Sequence, residues 1–204
     1  MQESYSQIGQ DVAVLKFYNQ KHNGYFIELG AYDGITLSNT YLLEKKYLWN
    51  GICIEPLHKY FIKLKDNRKC ICLEKLVYSE NDLYLDFSSS RLFSGIIDNI
   101  DCYLKRINNV GKIMKTTTLT KILECNNAPF FIEYLSLDTE GSEYEILKGI
   151  DFDKYTFGYI NIEHNFIEPK RTDMRNFLKN KGYIFIRENQ MDDDYAHNSL
   201  VGHI

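Results

Sequence analysis

Residues 25–34 read Tyr-Phe-Ile-Glu-Leu-Gly-Ala-Tyr-Asp-Gly, and this stretch decides the class of fold. A short apolar run that ends at a glycine, here Gly30, is typical of a buried strand followed by a tight turn. The turn lacks the GxGxxG spacing of loops that hold a pyrophosphate. The loop is explained equally well by a nucleoside ligand without phosphates and by a turn that simply needs a positive φ.

Similar apolar runs recur along the chain and alternate with amphipathic segments. Strands are predicted at 25–29, 51–54, 70–77, 82–87, 116–118, 130–137, 159–163, 183–187 and 196–201. Helices are predicted at 39–46, 59–67, 102–107, 119–125, 142–147 and 171–181. The strands at 25–29, 51–54 and 130–137 are apolar throughout, which is typical of a parallel sheet covered on both faces. The pattern predicts an α/β, Rossmann-like fold: a mostly parallel sheet with a C-terminal antiparallel strand pair and helices on both faces.

The composition fits one globular domain over residues 1–204. Hydrophobic residues make up 44% and charged residues 25% of the chain, enough to close a core. The formal net charge is −4 and the pI is near 5.8. A protein that binds duplex nucleic acid normally carries a basic surplus, so we expect no nucleic-acid partner.

The five cysteines, an odd number without a CxxC pair, predict reduced and buried thiols. The first residues, MQESYSQIGQD, lack a basic region followed by an apolar stretch, so no signal peptide is expected. No apolar run approaches the ~18–20 residues of a membrane span. We therefore expect a cytoplasmic protein.

Acidic side chains follow the predicted strands, where open α/β sheets bind their ligands. The residues at these ends are Glu28, Gly30, Asp33, Glu55, Ser79, Asp138, Glu140, Glu163 and His164. Glu55 lies 25 positions after Gly30, close to the ~20-residue offset at which an acid binds ribose hydroxyls. Asp33 is placed to accept from an ammonium group. Glu55 and the glycine loop together favour a nucleoside site.

Several of these motifs occur in a recognisable order. They are Ser6-Gln7-Ile8-Gly9-Gln10-Asp11, the ELGAYDG loop with Ser38-Asn39-Thr40, Gly51-Ile52-Cys53-Ile54-Glu55-Pro56, Leu135-Ser136-Leu137-Asp138-Thr139-Glu140-Gly141-Ser142-Glu143 and Ile162-Glu163-His164-Asn165. The ordered set resembles the FkbM family of S-adenosylmethionine-dependent O-methyltransferases, found in bacteria and large viruses. The resemblance implies a methyl donor and a hydroxyl acceptor, commonly on a sugar or glycan. For a viral relative, the expected location is the host cytoplasm.

The resemblance also implies residues for the donor site. Glu28, Gly30 and Asp33, also Asp138, would surround the methionine portion, with Ser38 and Asn39 near its carboxylate. Glu55 would bind both ribose hydroxyls, and Ser79 would contact the adenine. Gln7, Gly9 and Gln10, within an N-terminal segment at 1–24, would fold over the cofactor, and residues 88–112 would form a lid or substrate loop. Fusion to, or cooperation with, glycosyltransferases is a further expectation.

The acceptor hydroxyl needs a general base, a metal that acidifies it, or both. Asp138, Glu163 and His164 follow adjacent strands and predict a catalytic group. Two carboxylates and an imidazole would also suit Mg²⁺ or Mn²⁺, as in some related sugar O-methyltransferases. Alternatively, His164 caps a strand end or acts as a base without metal.

Other charged residues have simpler interpretations. Glu140 is equally expected to cap the helix that begins near Ser142. Glu143 and Glu145 are expected on a solvated face or as partners of the helix dipole. Asp192-Asp193-Asp194 is expected to form a turn before an edge strand, with a substrate or metal contact as the lesser alternative. His22, His58 and His203 are expected at the surface.

Competing functions lack their own signals. A nicotinamide-dependent oxidoreductase would need the phosphate-binding glycine spacing, and a nucleic-acid methyltransferase would need a motif for a flipped base. A scaffold or glycan-binding module would not need acids at five strand ends. A methyltransferase acting on a non-sugar small-molecule hydroxyl remains the main alternative.

Overall fold

The computed structural model describes residues 3–88, 95–96 and 111–203. In chain order the elements are α1 (Gln10–Phe17), β1 (Tyr25–Leu29), α2 (Tyr41–Tyr47), β2 (Asn50–Ile54), α3 (His58–Asn67), β3 (Ile71–Leu73), β4 (Leu76–Val77), β5 (Tyr84–Ser88), β6 (Gly111–Thr117), α4 (Leu119–Cys125), β7 (Phe131–Leu137), α5 (Glu143–Lys148), β8 (Thr156–Glu163), α6 (Lys170–Asn180), β9 (Tyr183–Asn189), β10 (Asp192–His197) and a 3₁₀ segment (Asn198–His203). The helix predicted at 102–107 and most of the lid predicted at 88–112 lie outside the described residues.

The large sheet has the strand order β3-β2-β1-β7-β8-β10-β9. Neighbouring strands from β3 to β8 are parallel, whereas β10 runs antiparallel to both β8 and β9. The predicted parallel sheet with a C-terminal antiparallel pair is therefore confirmed. The chain moves outward from β1 to β3 at one edge of the sheet and returns at β7 on the other side of β1, so strand order reverses between β1 and β7.

Helices cover both faces of this sheet, as the apolar strands predicted. On one face α4, α5 and α6 bury Leu123, Leu147 and Leu178 in the larger core cluster. On the other face α1, α2 and α3 bury Leu15, Leu43 and Leu64 against the same strands. Among the described residues, no helix has both the length and the apolar content that crossing a membrane requires.

The predicted strand at 70–77 is in fact two strands in two sheets. β3 pairs with β2 in the large sheet, whereas β4 pairs with β6 in a three-stranded sheet ordered β4-β6-β5. The small sheet buries Phe87 and Leu76 in a third core cluster with Tyr60 of α3. The charged pair Glu74-Lys75 interrupts the apolar run where the chain changes sheets, and the prediction of one strand passed over this interruption.

The acidic run Asp192-Asp193-Asp194 was predicted as a turn, and this prediction is wrong. The three residues lie inside β10, each at most 4% exposed. Each carboxylate has a polar partner from another part of the chain: Gln10 for Asp192, Arg175 for Asp193 and Arg187 for Asp194. Burial of a charge is tolerated when it is paired in this way. The last strand was predicted at 196–201. It starts four residues earlier, at Asp192, and residues 198–201 belong to the 3₁₀ segment.

Gly30 lets the ends of β1 and β7 come into contact. Its φ is +79°, and a Cβ added to it would lie 1.8 Å from the backbone oxygen of Asp138. Its amide donates to Ile54 O at 3.1 Å, which ties the same residue to β2. No side chain could occupy this position without moving the backbone at the switch point.

We expect Gly30→Ala to reduce the free energy of unfolding by about 3 kcal/mol or more, measured by urea denaturation. Gly9→Ala is the matched control, because Gly9 has φ +84° but nothing within 4 Å of an added Cβ. The control carries only the left-handed backbone cost, about 1 kcal/mol. Equal losses in the two variants would show that the Asp138 contact does not constrain the loop.

Candidate active site

A pocket of about 320 Å³ opens at the carboxyl ends of β1, β2, β4, β7 and β8. Gly30 and Glu55 line it at the β1 and β2 ends, and Asp138 and Glu163 line it at the β7 and β8 ends. The position is the switch point at which open α/β sheets bind ligands. Its volume is within the ~300–1,000 Å³ range of small-molecule sites.

Glu55 is the buried acid of the pocket, with 6% of its surface exposed. Oε1 accepts from Leu57 N at 2.7 Å and Oε2 accepts from Tyr32 N at 3.1 Å. Burial raises the pKa of this carboxyl to about 7, although the two backbone donors and Lys59 act in the opposite direction. The carboxylate is thus fixed by its backbone and keeps lone pairs available for further donors.

Glu28 lies beneath the pocket and does not line it. Its carboxylate accepts from Asn39 N at 2.7 Å and from Thr40 Oγ1 at 2.6 Å, and it pairs with Arg68 Nη1 at 3.3 Å. The Arg68 side chain is fully buried and also binds Glu44 at 2.6 Å. Glu28 therefore holds the 38–40 loop in place from below.

That loop contributes to one wall of the pocket. Ser38 lines the pocket, and its hydroxyl donates to Glu28 at 3.0 Å. Asn39 was predicted, like Ser38, to contact the methyl donor. Its side chain instead turns inward, and its Nδ2 donates a hydrogen bond to Ser136 Oγ of β7 at 2.9 Å. The structure thus brings Ser38 to the site and assigns Asn39 to the sheet.

Asp33 does not line the pocket either. Oδ1 accepts from Ile35 N at 3.0 Å and Thr36 N at 2.8 Å, and Oδ2 accepts from Thr36 Oγ1 at 2.9 Å. A carboxylate that bonds its own following backbone in this way stabilises a turn. The expectation that Asp33 receives an ammonium group is not supported, because its own turn occupies the carboxylate.

The N-terminal segment reaches the pocket through Gln7, which lines it. Gln10 does not; its Nε2 donates to Asp192 Oδ2 at 2.8 Å and its Oε1 accepts from Ile8 N at 3.0 Å. Gly9 precedes α1 in the left-handed conformation. Gln10 therefore anchors the segment to β10 so that Gln7 can face the pocket.

Three carboxylates meet at the other end of the pocket. One side-chain oxygen each from Asp138, Glu140 and Glu163 lies within 4.8 Å of the other two. Burial, then the charges of Asp192, Glu143 and Glu28, raise the pKa of Asp138 to about 7. Burial and the Asp138 charge likewise raise the pKa of Glu163 well above its ordinary range. Glu163 Oε2 is buried without a hydrogen-bond partner in the described structure.

Glu140 reaches this cluster because Glu143 shapes the loop before α5. Glu143 is fully buried, and its Oε1 accepts from Thr139 N at 2.9 Å and Gly141 N at 3.0 Å. The prediction of a solvated Glu143 is wrong, because loop amides and Lys170, at 3.2 Å, compensate its charge. Between these amides Glu140 adopts φ +57° and lines the pocket, which does not fit the predicted helix cap.

His164 is not part of the acidic cluster, in contrast to the prediction that grouped it with Asp138 and Glu163. The ring is fully buried and faces away from the pocket. Nε2 lies 3.3 Å from Asp193 Oδ1, and Nδ1 accepts from Phe166 N at 3.0 Å. His164 comes directly after the end of β8, and its contacts with Asp193 and Phe166 hold the ring away from the pocket that Glu163 lines.

Ser79 is also displaced from its predicted role. Its backbone packs near Gly149, and it is not a lining residue. Lys75, Leu76 and Val77 line that side, together with Leu57, Tyr60 and Phe87. Sequence reasoning missed these residues because the chain changes sheets at β4, and only a signal for that change could have identified them.

The remaining predictions concern exposed groups. His58 is exposed and pairs with Glu74 at 2.8 Å, and His22 is exposed against Tyr47. The side chain of His203 lies outside the described residues. Glu145 pairs with Lys148 near the surface, in agreement with its expected position. Among the described cysteines all are free thiols, but Cys125 is exposed rather than buried.

Residues 28–185 match the family described as the Methyltransferase FkbM domain. The chain belongs to the FkbM methyltransferase family. This match spans most of the chain and confirms the predicted family and the assignment to the S-adenosylmethionine-dependent methyltransferases. Among curated proteins, none matches the chain significantly.

Solved structures with the same fold are also methyltransferases. Methyltransferase FkbM from Methylobacillus flagellatus KT superposes with a TM-score of 0.54 at 15% identity, covering 86% of this chain and 44% of that chain. The N-terminal domain of human METTL16 gives 0.51 at 11% identity over 92% of this chain and 67% of that one. Human methyltransferase 10 domain containing protein gives 0.51 at 8% identity over 97% and 85%. At these identities the likeness shows the fold alone, and this chain spans less than half the length of the M. flagellatus protein.

We expect Arg68→Met to destabilise the FkbM domain by about 3–5 kcal/mol in urea denaturation, because it leaves Glu28 buried without a cation and Glu44 with only the more distant Lys45. Lys45→Met is the control, since Lys45 is a partly exposed partner of the same Glu44 at 3.9 Å. Its removal should change the free energy of unfolding by at most about 0.5 kcal/mol. Similar losses in both variants would contradict a structural role for the Arg68 pair.

Proposed function

We propose that this domain transfers a methyl group from S-adenosylmethionine to a hydroxyl of a carbohydrate. The observation that carries the proposal is Glu55, a backbone-fixed buried carboxylate across the pocket from a cluster of acids. A vicinal diol donates two hydrogen bonds, which is what such a carboxylate can accept. Membership of the family indicates S-adenosylmethionine as the methyl donor, and the ribose of that molecule carries such a diol.

The two ends of the pocket differ in chemistry, and each suits one part of the reaction. Around Glu55 the wall is apolar and aromatic, with Leu57, Tyr60, Val77 and Phe87, and would accept the flat adenine face. Gly30, Ala31 and Ser38 lie at the β1 end, where the methionine portion would follow the ribose. Asp138 and Glu163 lie beyond it, at the acceptor end.

Methyl transfer from a sulfonium is an in-line displacement, so positioning of oxygen, carbon and sulfur supplies much of the rate. S-adenosylmethionine brings the electrophilic methyl group to the reaction. The protein must orient the acceptor hydroxyl and take its proton. Asp138 and Glu163 suit both tasks, because a carboxylate of raised pKa accepts a proton more readily than an ordinary surface acid.

The donor set also fits a divalent ion such as Mg²⁺ or Mn²⁺. One oxygen of each of the three carboxylates lies within 4.8 Å of the other two, and Glu163 Oε2 has no hydrogen-bond partner among the described residues. Hard oxygen ligands of this kind are those that Mg²⁺ and Mn²⁺ prefer. Asp138, Glu140 and Glu163 would hold the ion, which would lower the pKa of a bound hydroxyl; His164 would not take part.

The carbohydrate acceptor is the finer part of the proposal and rests on the family together with the polar, acid-lined acceptor end. A non-sugar hydroxyl is the alternative outcome. Incubation with labelled donor and a panel of nucleotide sugars and oligosaccharides, followed by mass analysis, distinguishes the two. Tighter binding of NAD than of S-adenosylhomocysteine in calorimetry would contradict the methyltransferase proposal itself.

We expect Glu55→Gln to weaken S-adenosylhomocysteine binding about 10- to 100-fold in calorimetry, because hydrogen bonds to a charged acceptor are lost. Wild-type affinity should fall as the pH decreases through about 7, since protonation removes the carboxylate that the diol prefers. The variant should lose this pH dependence. Asp33→Asn is the control, because Asp33 supports a turn and does not line the pocket; a loss as large as that of Glu55→Gln would contradict the assignment.

We expect Asp138→Asn to lower kcat about 10²-fold or more while the affinity for the methyl donor changes little, because the variant cannot accept a proton.

Dialysis against EDTA separates the two proposed roles of the acidic cluster, as general base and as metal site. If an ion is required, turnover is lost and returns with Mn²⁺, and Glu140→Gln weakens that recovery. Undiminished turnover after EDTA would remove the metal and leave Asp138 and Glu163 as the base. Glu145→Gln, at the surface of α5, is the matched control.

A further inference from the structure

Three thiols lie close together on the face of the sheet that α1, α2 and α3 cover. They are near the 38–40 loop, which contributes to one wall of the pocket. Cys53 is buried in β2, and Cys70 and Cys72 are partly buried at the edge strand β3. The Sγ atoms of Cys70 and Cys53 lie 3.6 Å apart, in direct contact. Neither the proposed transfer reaction nor the pocket lining uses any of them.

The buried thiol is linked to the pocket wall through Glu28. Cys53 Sγ lies 3.5 Å from Glu28 Oε2 and 4.0 Å from Thr40 Oγ1. Glu28 is the carboxylate that holds the 38–40 loop. A movement of the Cys53 side chain would therefore alter a contact of Glu28 and, through Glu28, the position of the 38–40 loop.

The partly exposed thiol has the surroundings of a reactive one. Contacts with the thiols of Cys53 and Cys72, followed by the positive charge of Arg68, lower the pKa of Cys70 to about 5 despite burial. A thiolate is the nucleophilic form of cysteine. Cys70 thus combines partial exposure with a second thiol within contact distance, as redox-sensing cysteines do.

We propose that Cys70 and Cys53 form an oxidation-sensitive pair, in which a hydroperoxide reacts at Cys70 and Cys53 resolves the product as a disulfide. This goes beyond the proposed methyl transfer and does not depend on it. In the first step the Cys70 sulfur attacks a peroxide oxygen: an S–O bond forms, the O–O bond breaks, and the leaving oxygen takes a proton. Sulfur is oxidised by two electrons and the peroxide is reduced.

In the second step the Cys53 sulfur attacks the Cys70 sulfenic acid. An S–S bond forms and the S–OH bond breaks, and hydroxide leaves as water with the proton that Cys53 gives up. The sulfurs must close from 3.6 Å to a bond of about 2.0 Å, which draws Cys53 away from Glu28.

Peptide mapping tests the pair directly. A Cys102→Ser, Cys125→Ser background leaves only Cys53, Cys70 and Cys72, and hydrogen peroxide should lower its intact mass by about 2 Da. After trypsin without reductant, the cross-link should join peptide 47–59 to peptide 70–75. Cys53→Ser or Cys70→Ser should abolish the link, and Cys72→Ser, the matched control, should retain it.

An unchanged mass, or a bond confined to peptide 70–75, would overturn the proposal, because the latter would join Cys70 to Cys72. Calorimetry with S-adenosylhomocysteine then measures the link to the pocket: oxidation should weaken binding about tenfold, and dithiothreitol should restore it. Unchanged affinity would refute the coupling through Glu28. A protein that forms the cross-link but never binds the nucleoside would contradict the proposed function and leave the thiol pair in place.

Discussion

The fold and the proposed site both depend on how closely the ends of β1 and β7 approach each other. The Asp138 carbonyl lies where a Cβ of residue 30 would be, so only glycine permits the contact. Because the strands are parallel, this contact sets the loop after β1 beside the loop after β7. The donor end and the acceptor end that we propose would then share one pocket, and methyl transfer would take place between neighbouring strand ends.

The buried acidic residues fall into two groups, which differ in whether a cation or an amide is paired with each carboxylate. Glu28, Glu44 and the three aspartates of β10 are each matched by a cation or an amide, and these pairs fix loops and helices to the sheet. Asp138, Glu140 and Glu163 face one another instead, and burial together with the neighbouring negative charges raises the pKa values of Asp138 and Glu163. Strongly perturbed acids that converge on a pocket are typical of functional sites, whereas paired ones are structural.

Sequence patterns located the elements and the end of the sheet where the chemistry lies. Apolar runs identified the central strands, and the acids after them included Glu55, Asp138 and Glu163, all of which line the pocket. The patterns failed where a side chain's direction decides its role. Asp33 and Glu28 both lie close to Gly30 in the sequence, yet Asp33 bonds its own turn and Glu28 bonds the 38–40 loop, so neither lines the pocket. The acidic run in β10 resembled a turn because its partners come from distant parts of the chain.

The amino-acid sequence alone therefore determined the parallel sheet, Gly30 at the switch point and Glu55 25 residues later. These features follow from short-range periodicity and from position at a strand end. Tertiary structure alone decided which acids converge. Glu140 replaces His164 in the cluster because Glu143 bends the loop before α5, while contacts with Asp193 and Phe166 hold His164 away from the pocket. Such choices depend on contacts between residues far apart in sequence, and a single chain read in order carries no record of those contacts.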